Sequence, residues 1–256
     1  MVDAAVLALL FASGLATALG AAPLFLVRRL SHRTHDTLLG LAAGIMLGIA
    51  GLELLPQSTE HPTGNPATTA LGIGIGAIAI FGLVRLLRRV PLPMPFVSNG
   101  APLNPGAAFL IFTALAIHNA PEGLATGIGY ADGLSPQGHT IALAMALQNV
   151  PEGLLVSLAV YAETRSLRAA FGYCLLSGAV EPVAGLVALF ALGAVPGGLG
   201  IASAFAVGAM VSVVLFQMVP ESHRHGYHRA ATAALALGLA IAVALDAGLG
   251  WAFPQA

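Results

Sequence analysis

The sequence predicts an all-α membrane protein with eight transmembrane helices. Of its 256 residues, 57% are hydrophobic and only 8% are charged, whereas soluble domains carry about 25% charged residues. Several apolar runs reach the roughly 20 residues that a helix needs to cross a bilayer, and they are too long for barrel strands of about 10 residues. The positive charges all lie in or beside the connections between these runs. Together these observations argue against a soluble enzyme.

The predicted helices are numbered 1 to 8 in chain order and together form a single transmembrane domain over residues 1–256. Their approximate spans are 2–27, 37–55, 67–88, 104–129, 137–162, 166–192, 199–220 and 230–250. Gly, Ala and Ser are frequent, which suits close helix packing in lipid and is compatible with a homodimer. Three prolines, Pro121, Pro151 and Pro182, fall inside predicted helices, where we expect kinks.

The arginines predict which side of the membrane each connection faces. The chain has no lysine, and its arginines lie in or beside connections 1–2, 3–4, 5–6 and 7–8. The positive-inside rule therefore places these four connections in the cytoplasm and both termini outside. The alternation also supports the count of eight helices. The arginines are Arg28, Arg29, Arg33, Arg85, Arg88, Arg89, Arg165, Arg168, Arg224 and Arg229.

The start of the sequence and its single cysteine give little information about function. The start "MVDAAV" lacks a positive n-region, so we expect no cleavable signal. Cys174 is the only cysteine, so an internal disulfide is excluded. Because the sequence has no basic arm, we expect no nucleic-acid partner. We expect the helices to be surrounded by membrane lipid.

Two similar polar motifs lie inside predicted helices 4 and 5, "HNAPEG" and "QNVPEG". In the first, His118 and Glu122 are four residues apart and Asn119 and Glu122 three apart, so the three share one helix face. Each proline lacks an N–H, which leaves a backbone carbonyl without its helical partner. The second motif repeats this geometry with Gln148, Asn149 and Glu152.

A bound cation explains why carboxylates would be kept inside the bilayer. Predicted helix 6 adds a third one, Glu181 in "SGAVEP". A carboxylate at mid-bilayer costs roughly 2.5–3.5 kcal/mol, so Glu122, Glu152 and Glu181 together would cost about 8–10 kcal/mol. Nitrogen and oxygen ligands without sulfur suit Zn²⁺, Fe²⁺, Mn²⁺ or Cd²⁺ better than Cu⁺. Our hypothesis is a site for two ions bridged by Glu122 and Glu152.

Other polar residues leave alternatives open. Glu53, near the outer end of predicted helix 2, is either a ligand or entrance residue or an ordinary boundary charge. For Asp246 in helix 8 we favour a structural role, and for Met46 we favour a packing role over metal ligation. At the end of helix 7, "PESHRHGYHR" either receives metal on exit or consists of solvated cap residues; it contains Glu221, His223, His225 and His228.

The paired "HNAPEG" and "QNVPEG", followed by "SGAVEP", resemble the ZIP (Zrt/Irt-like) metal transporters, in particular the bacterial branch. The resemblance extends to "GLAAGIMLG" in helix 2 and "GAMVSVVLFQMVPES" in helix 7. It implies a multi-pass protein of the bacterial inner membrane with a 3+2+3 arrangement. Helices 1–3 and 6–8 would form inverted repeats, and helices 4 and 5 would carry a binuclear metal centre.

The resemblance also implies a ligand set and an activity. One metal site would comprise His118, Glu122, Gln148 and Glu152, with Glu53 as a further candidate. The second would comprise Asn119, Asn149 and Glu181 and would share Glu122 and Glu152. The expected activity is import of divalent zinc, and of cadmium, iron or manganese as further candidates, by an elevator-like movement. No catalytic cofactor is expected.

Two departures from the family pattern stand out. Gln148 replaces a histidine found in many relatives, and Phe216 and Gln217 replace acidic residues before the helix 7 proline. A metal-selective channel and a proton-coupled exchanger with a broader Fe, Mn and Cd range are alternative functions. An intramembrane metalloprotease is disfavoured, because the H-E-x-x-H spacing is absent.

Overall fold

The computed structural model describes residues 3–27, 29–60, 64–87, 105–195 and 197–252, and no strand occurs among them. Arg28, Arg88 and Arg89 lie outside these ranges. The α-helices are α1 (Ala4–Leu19), α2 (His32–Ile49), α3 (Leu55–Glu60), α4 (Pro66–Leu87), α5 (Pro105–Gly129), α6 (Pro136–Thr164), α7 (Leu167–Gly178), α8 (Val180–Ala194), α9 (Leu199–Val213), α10 (Val219–Ser222) and α11 (His228–Ala252).

The distribution of apolar surface is that of a membrane protein. In the described residues, seven helical spans are long and apolar enough to cross a membrane, and α5 is a further helix of 25 residues. Large apolar side chains point outward, with Phe190 67% and Trp251 88% exposed, whereas Glu122 and Glu181 are fully buried. The prediction of an all-α multi-pass membrane protein is confirmed. The 3+2+3 arrangement and the sidedness stay predictions.

Helix starts follow the expected capping chemistry. The hydroxyl of Ser31 accepts the backbone N–H of Thr34 at the start of α2, and the Ser135 hydroxyl accepts that of Gly138 at the start of α6. Such caps satisfy backbone donors that have no partner within the helix. They fix the starting points of α2 and of α6, the helix that carries Gln148, Asn149 and Glu152.

Predicted helix 6 is divided into α7 and α8 at Ala179. Pro182, expected well inside one helix, is instead the third residue of α8. Because proline has no N–H, it cannot continue the helical hydrogen bond to Gly178. The break places Glu181 in the first turn of α8, where the helix dipole favours a negative charge.

Predicted helices 2 and 7 each contain a π-helical turn. The turns are Ala50–Leu54 between α2 and α3, and Val214–Met218 between α9 and α10. Each is followed two residues later by a proline, Pro56 or Pro220. These prolines have no N–H to donate to the carbonyl four residues back. The helix therefore locally adopts the wider π form, in which an N–H bonds to the carbonyl five residues back.

The two π turns belong to a local internal repeat. Aligning Glu53 with Gln217 also aligns Pro56 with Pro220, and a serine follows each proline by two residues. Both serines bond back in the same way: Ser58 Oγ donates to the Leu55 carbonyl and Ser222 Oγ to the Val219 carbonyl. Predicted helices 2 and 7 therefore share a bend of the same construction.

The helices pack into two groups. In the first, here the site-bearing group, α1, α5, α6, α7 and α8 contact one another extensively. In the second, the framework group, α2 pairs with α11 and α4 pairs with α9, and the π turns, α3 and α10 pack between these pairs. Contacts between the groups run mainly along α2 with α6 and α5 with α9.

Close backbone approaches occur inside each group. In the site-bearing group, a Cβ on Gly123 would collide with the backbone of Glu181, and one on Gly153 with that of Thr17. In the framework group, Gly44 lies equally close to Leu235 of α11. Among the described glycines, none lies this close to the backbone of a helix in the other group. Small residues thus let helices approach closely within each group.

Candidate metal site

The three intramembrane carboxylates converge inside the site-bearing group. Glu122 on α5, Glu152 on α6 and Glu181 on α8 are all buried, and they are close enough to act electrostatically on one another. Pro121 and Pro151 lie inside α5 and α6 directly before the first two. The structure therefore brings together, on three helices, the acidic residues that the sequence singled out.

The two repeated motifs are joined by a direct hydrogen bond. Gln148 Nε2 donates to Glu122 Oε1 at 2.6 Å and lies 3.4 Å from the sulfur of Met145. The amide oxygen of Gln148 is left without a donor among the described residues. Gln148 thus holds the Glu122 carboxylate with its nitrogen while its oxygen stays available.

Glu181 is held by residues from two other helices. Its carboxylate accepts hydrogen bonds from Ser13 Oγ on α1 and from Asn149 Nδ2 on α6, each at 2.5 Å. Asn149 Nδ2 also lies 3.0 Å from the Ser13 carbonyl. Sequence reasoning missed Ser13, because a lone serine in an apolar helix carries no signal of a partner 168 positions away.

Asn119 is oriented by the end of α7. Its Nδ2 donates to the carbonyl of Ser177 at 2.8 Å and lies 3.2 Å from the Ser177 hydroxyl. Its Oδ1 has no donor among the described residues. As with Gln148 and Asn149, the amide nitrogen is used to fix the side chain, and the oxygen remains free to bind.

The decisive feature of the site is a set of buried oxygens without donors. In the described part of the chain, none of the oxygens named below receives a hydrogen bond, and no arginine or histidine forms an ion pair with Glu122, Glu152 or Glu181. Buried oxygens without a partner are costly unless something positive meets them. The atoms are Asn119 Oδ1, Glu122 Oε2, Gln148 Oε1, Asn149 Oδ1, and both Oε1 and Oε2 of Glu152. All are ligand atoms suited to a divalent cation.

His118 reaches out of this cluster towards the framework group. Its Nε2 lies 3.2 Å from Gln217 Oε1 in the second π turn. Gln217 is one of the positions at which the sequence departs from the family pattern. An amide there accepts a hydrogen bond from the imidazole without adding a negative charge.

Glu53 has a different set of neighbours. It lies buried in the first π turn, where it interacts with Asp246 of α11. Glu122 interacts electrostatically with Glu152 and Glu181, and Glu152 with Glu181. The structure places Glu53 beside Asp246, and its role as a ligand stays a prediction. Met46 is fully buried within the largest hydrophobic cluster.

Comparison with known proteins identifies the family of this chain. A family model described as ZIP Zinc transporter matches residues 100–246, a stretch that includes the helices carrying all three carboxylates. The chain is 35% identical over 245 residues to Zinc transporter GufA of Myxococcus xanthus, covering 93% of this chain and 96% of that protein. The chain belongs to the ZIP zinc transporter family.

Other ZIP relatives show similar or shorter matches. Zinc transporter ZupT of Chlorobium phaeovibrioides is 32% identical over 249 residues, covering 90% of this chain and 92% of that protein. Human Zinc transporter ZIP11 is 39% identical over 168 residues, covering 61% of this chain and 49% of that protein. This ZIP chain is thus a transporter and not an enzyme. It is a multi-pass integral membrane protein, which in bacteria means the inner membrane.

Proposed function

We propose that this ZIP chain carries divalent transition-metal ions, zinc above all, through the membrane into the cytoplasm. The observation that carries the proposal is the cluster of buried, donor-free oxygens around Glu122 and Glu152. The relatives named as zinc transporters support zinc as the cargo. Inward direction follows from the family resemblance, and the arginine-rich connections predict which side is cytoplasmic.

We further propose that the cluster holds two ions. One set is His118, Glu122, Gln148 and Glu152. The other is Asn119, Asn149 and Glu181, with the same two glutamates as bridges. Support comes from the donor-free oxygens, which belong to members of both sets. Placing positive charge between carboxylates also relieves their mutual repulsion.

The proposed movement is an elevator-like shift of the site-bearing group against the framework group. Every proposed ligand except Glu53 lies on the site-bearing group, so the ions would travel with it. The close backbone approaches within each group favour movement as rigid bodies. Discrete arrangements of packed groups are a common basis of alternating access.

The boundary between the groups is compatible with sliding. It is lined with apolar side chains, including the fully buried Met46, Met145 and Met210. Methionine is flexible and tolerates changes of packing partner. A few hydrogen bonds cross the boundary, among them His118 to Gln217 and Gln137 to the Glu53 carbonyl at 3.0 Å. Such contacts can be exchanged as the groups move.

The matching bends in predicted helices 2 and 7 support the proposed inverted repeats. Each bend combines a π turn, a proline and a back-bonding serine. These two helices occupy equivalent places if helices 1–3 and 6–8 are repeats. The homodimer and specific lipid contacts stay predictions from the small-residue faces and the apolar surface.

Uptake by purified protein in liposomes tests the proposed function. We expect ⁶⁵Zn²⁺ to accumulate with saturable kinetics in liposomes containing the protein, compared with protein-free liposomes. Unlabelled Cd²⁺, Fe²⁺ and Mn²⁺ added in parallel would show which ions share the site. Accumulation no faster than in protein-free liposomes would contradict transport. Large electrical currents without saturation would support the channel alternative.

Acidic pH is expected to weaken metal uptake. Protons and metal ions compete for the same carboxylate oxygens, so affinity falls as pH falls. A site that releases one proton on binding loses about tenfold in affinity for each pH unit. Initial uptake rates at subsaturating Zn²⁺, measured between mildly acidic and neutral pH, check this. Rates that do not change over that range would contradict the competition.

A further inference from the structure

A second group of possible metal ligands lies outside the central cluster. It comprises His35 and Asp36 in the first turns of α2, and His225 in the turn before α11. One ligand atom from each lies within 4.8 Å of those from the other two. His225 is among the residues whose role the sequence left open between metal reception and capping.

The other polar residues near His225 already have partners. Glu221 pairs with Arg224 at 3.3 Å. His223 lies within 3.0 Å of Ser222 Oγ and Thr232 Oγ1 through its two ring nitrogens. These contacts are typical of residues that stabilise the end of α10. By contrast, His225 turns towards α2.

Asp36 is an unusual partner for the two imidazoles. Its side chain is fully buried, and both rings approach the same oxygen: His225 Nδ1 lies 2.7 Å and His35 Nδ1 3.3 Å from Asp36 Oδ1. The second oxygen, Oδ2, is buried without a donor among the described residues. Simple hydrogen bonding therefore leaves half of this carboxylate unsatisfied, which is costly in a buried position.

Two of the three spacings between these ligand atoms can be compared with those of a zinc site. Zinc bonds to nitrogen and oxygen of about 2.0–2.1 Å in a tetrahedron separate the ligand atoms by about 3.3 Å. The His35–Asp36 distance already matches this value. The His225–Asp36 distance would need to open by several tenths of an ångström. The side chains of His35 and His225 are 30% and 25% exposed, so both rings can adjust and an ion can reach them.

We propose that His35, Asp36 and His225 form a second binding site for a divalent transition-metal ion such as Zn²⁺. Each neutral imidazole, protonated on Nε2, would present the Nδ1 lone pair, and the Asp36 carboxylate would supply the negative charge. A fourth position is left for water or for His32, whose ring stacks on that of His225 with centroids 4.2 Å apart. The proposal does not depend on transport by the central cluster.

Metal binding in a variant without the central cluster tests this site. In full-length Glu122→Ala/Glu152→Ala protein in detergent, isothermal titration should still detect one bound Zn²⁺. Adding His225→Gln, which keeps a hydrogen-bond donor for Asp36, should lower the affinity at least about tenfold. His228→Gln is the matched control at the same end of the molecule, because His228 stacks on His223 and is not among the three candidate ligands. The zinc affinity of this control should not change.

A thiol at position 225 provides a spectroscopic check. His225→Cys keeps a ligand, so Co²⁺ should bind and produce a thiolate-to-cobalt absorption band that is absent from the parent with its buried Cys174. If His225→Gln failed to fold, His35→Gln would replace it in the titration. Zinc binding that is undetectable in the double-glutamate variant, or that is unchanged by both histidine substitutions, would overturn the proposal.

Discussion

We expect Glu152→Gln to abolish zinc uptake in liposomes and to lower zinc affinity at the central cluster at least about 100-fold. Glu152 is the residue whose two carboxylate oxygens both lack a donor, and glutamine keeps its shape while removing the charge. Loss of a residue that only supports a metal ligand costs 10–100-fold, so loss of a carboxylate that we propose to bridge two ions should cost more. Uptake of ⁶⁵Zn²⁺ and equilibrium titration are the measurements.

The control for this substitution lies on the same helix. Glu163 is exposed near the end of α6, so Glu163→Gln removes the same charge from the same element without touching the cluster. Its uptake and affinity should equal those of the unmodified chain. Equal uptake by the Glu152 and Glu163 variants would contradict the proposed role of Glu152. Separate measurement of melting temperature would reveal any loss of uptake that is due to misfolding.

The second large effect is expected on stability, from Gly208→Ala. A Cβ at Gly208 on α9 would collide with the carbonyl oxygen, carbonyl carbon and Cα of Ile73 on α4. Backbone cannot rotate away as a side chain can, so α4 and α9 must separate. Overpacking of this kind typically costs about 1–3 kcal/mol. Thermal unfolding in detergent should show a clearly lower melting temperature.

Gly74→Ala is the matched control for the glycine prediction. Gly74 follows Ile73 on the same helix, but a Cβ there would meet nothing within 4 Å. Alanine also has a better helix propensity than glycine by roughly 0.5–1 kcal/mol. The control should therefore melt at the same temperature as the unmodified chain or slightly above it. Equal melting of the two variants would show that the α4–α9 contact tolerates an extra methyl group.

The sequence predicted the long helices and the central acidic residues because both depend on local patterns. Membrane helices are recognised from length and apolar composition. Glu122 and Glu152 were recognised from the repeated motif, whose three- and four-residue spacings place polar groups on one face. These signals need no knowledge of how the helices are arranged.

The remaining features depend on contacts between distant parts of the chain. Ser13 meets Glu181 only after α1 packs against α7 and α8. Likewise, Glu53 meets Asp246, and His225 meets Asp36, through the pairing of α2 with the end of the chain. Pro182 indicated a bend but not its form, which is a break at Ala179, and the two π turns were not predicted from the sequence.

The confinement of tight backbone contacts to each helix group has a consequence for how this protein can evolve. Changes at glycines within a group alter how well the chain folds. In the elevator-like movement that we propose, changes to the methionines and amides along the boundary would instead alter how quickly one state converts into the other. With that mechanism, turnover rate and thermal tolerance would be adjusted by separate sets of substitutions, so a cold-adapted or heat-adapted relative would not sacrifice one property to change the other.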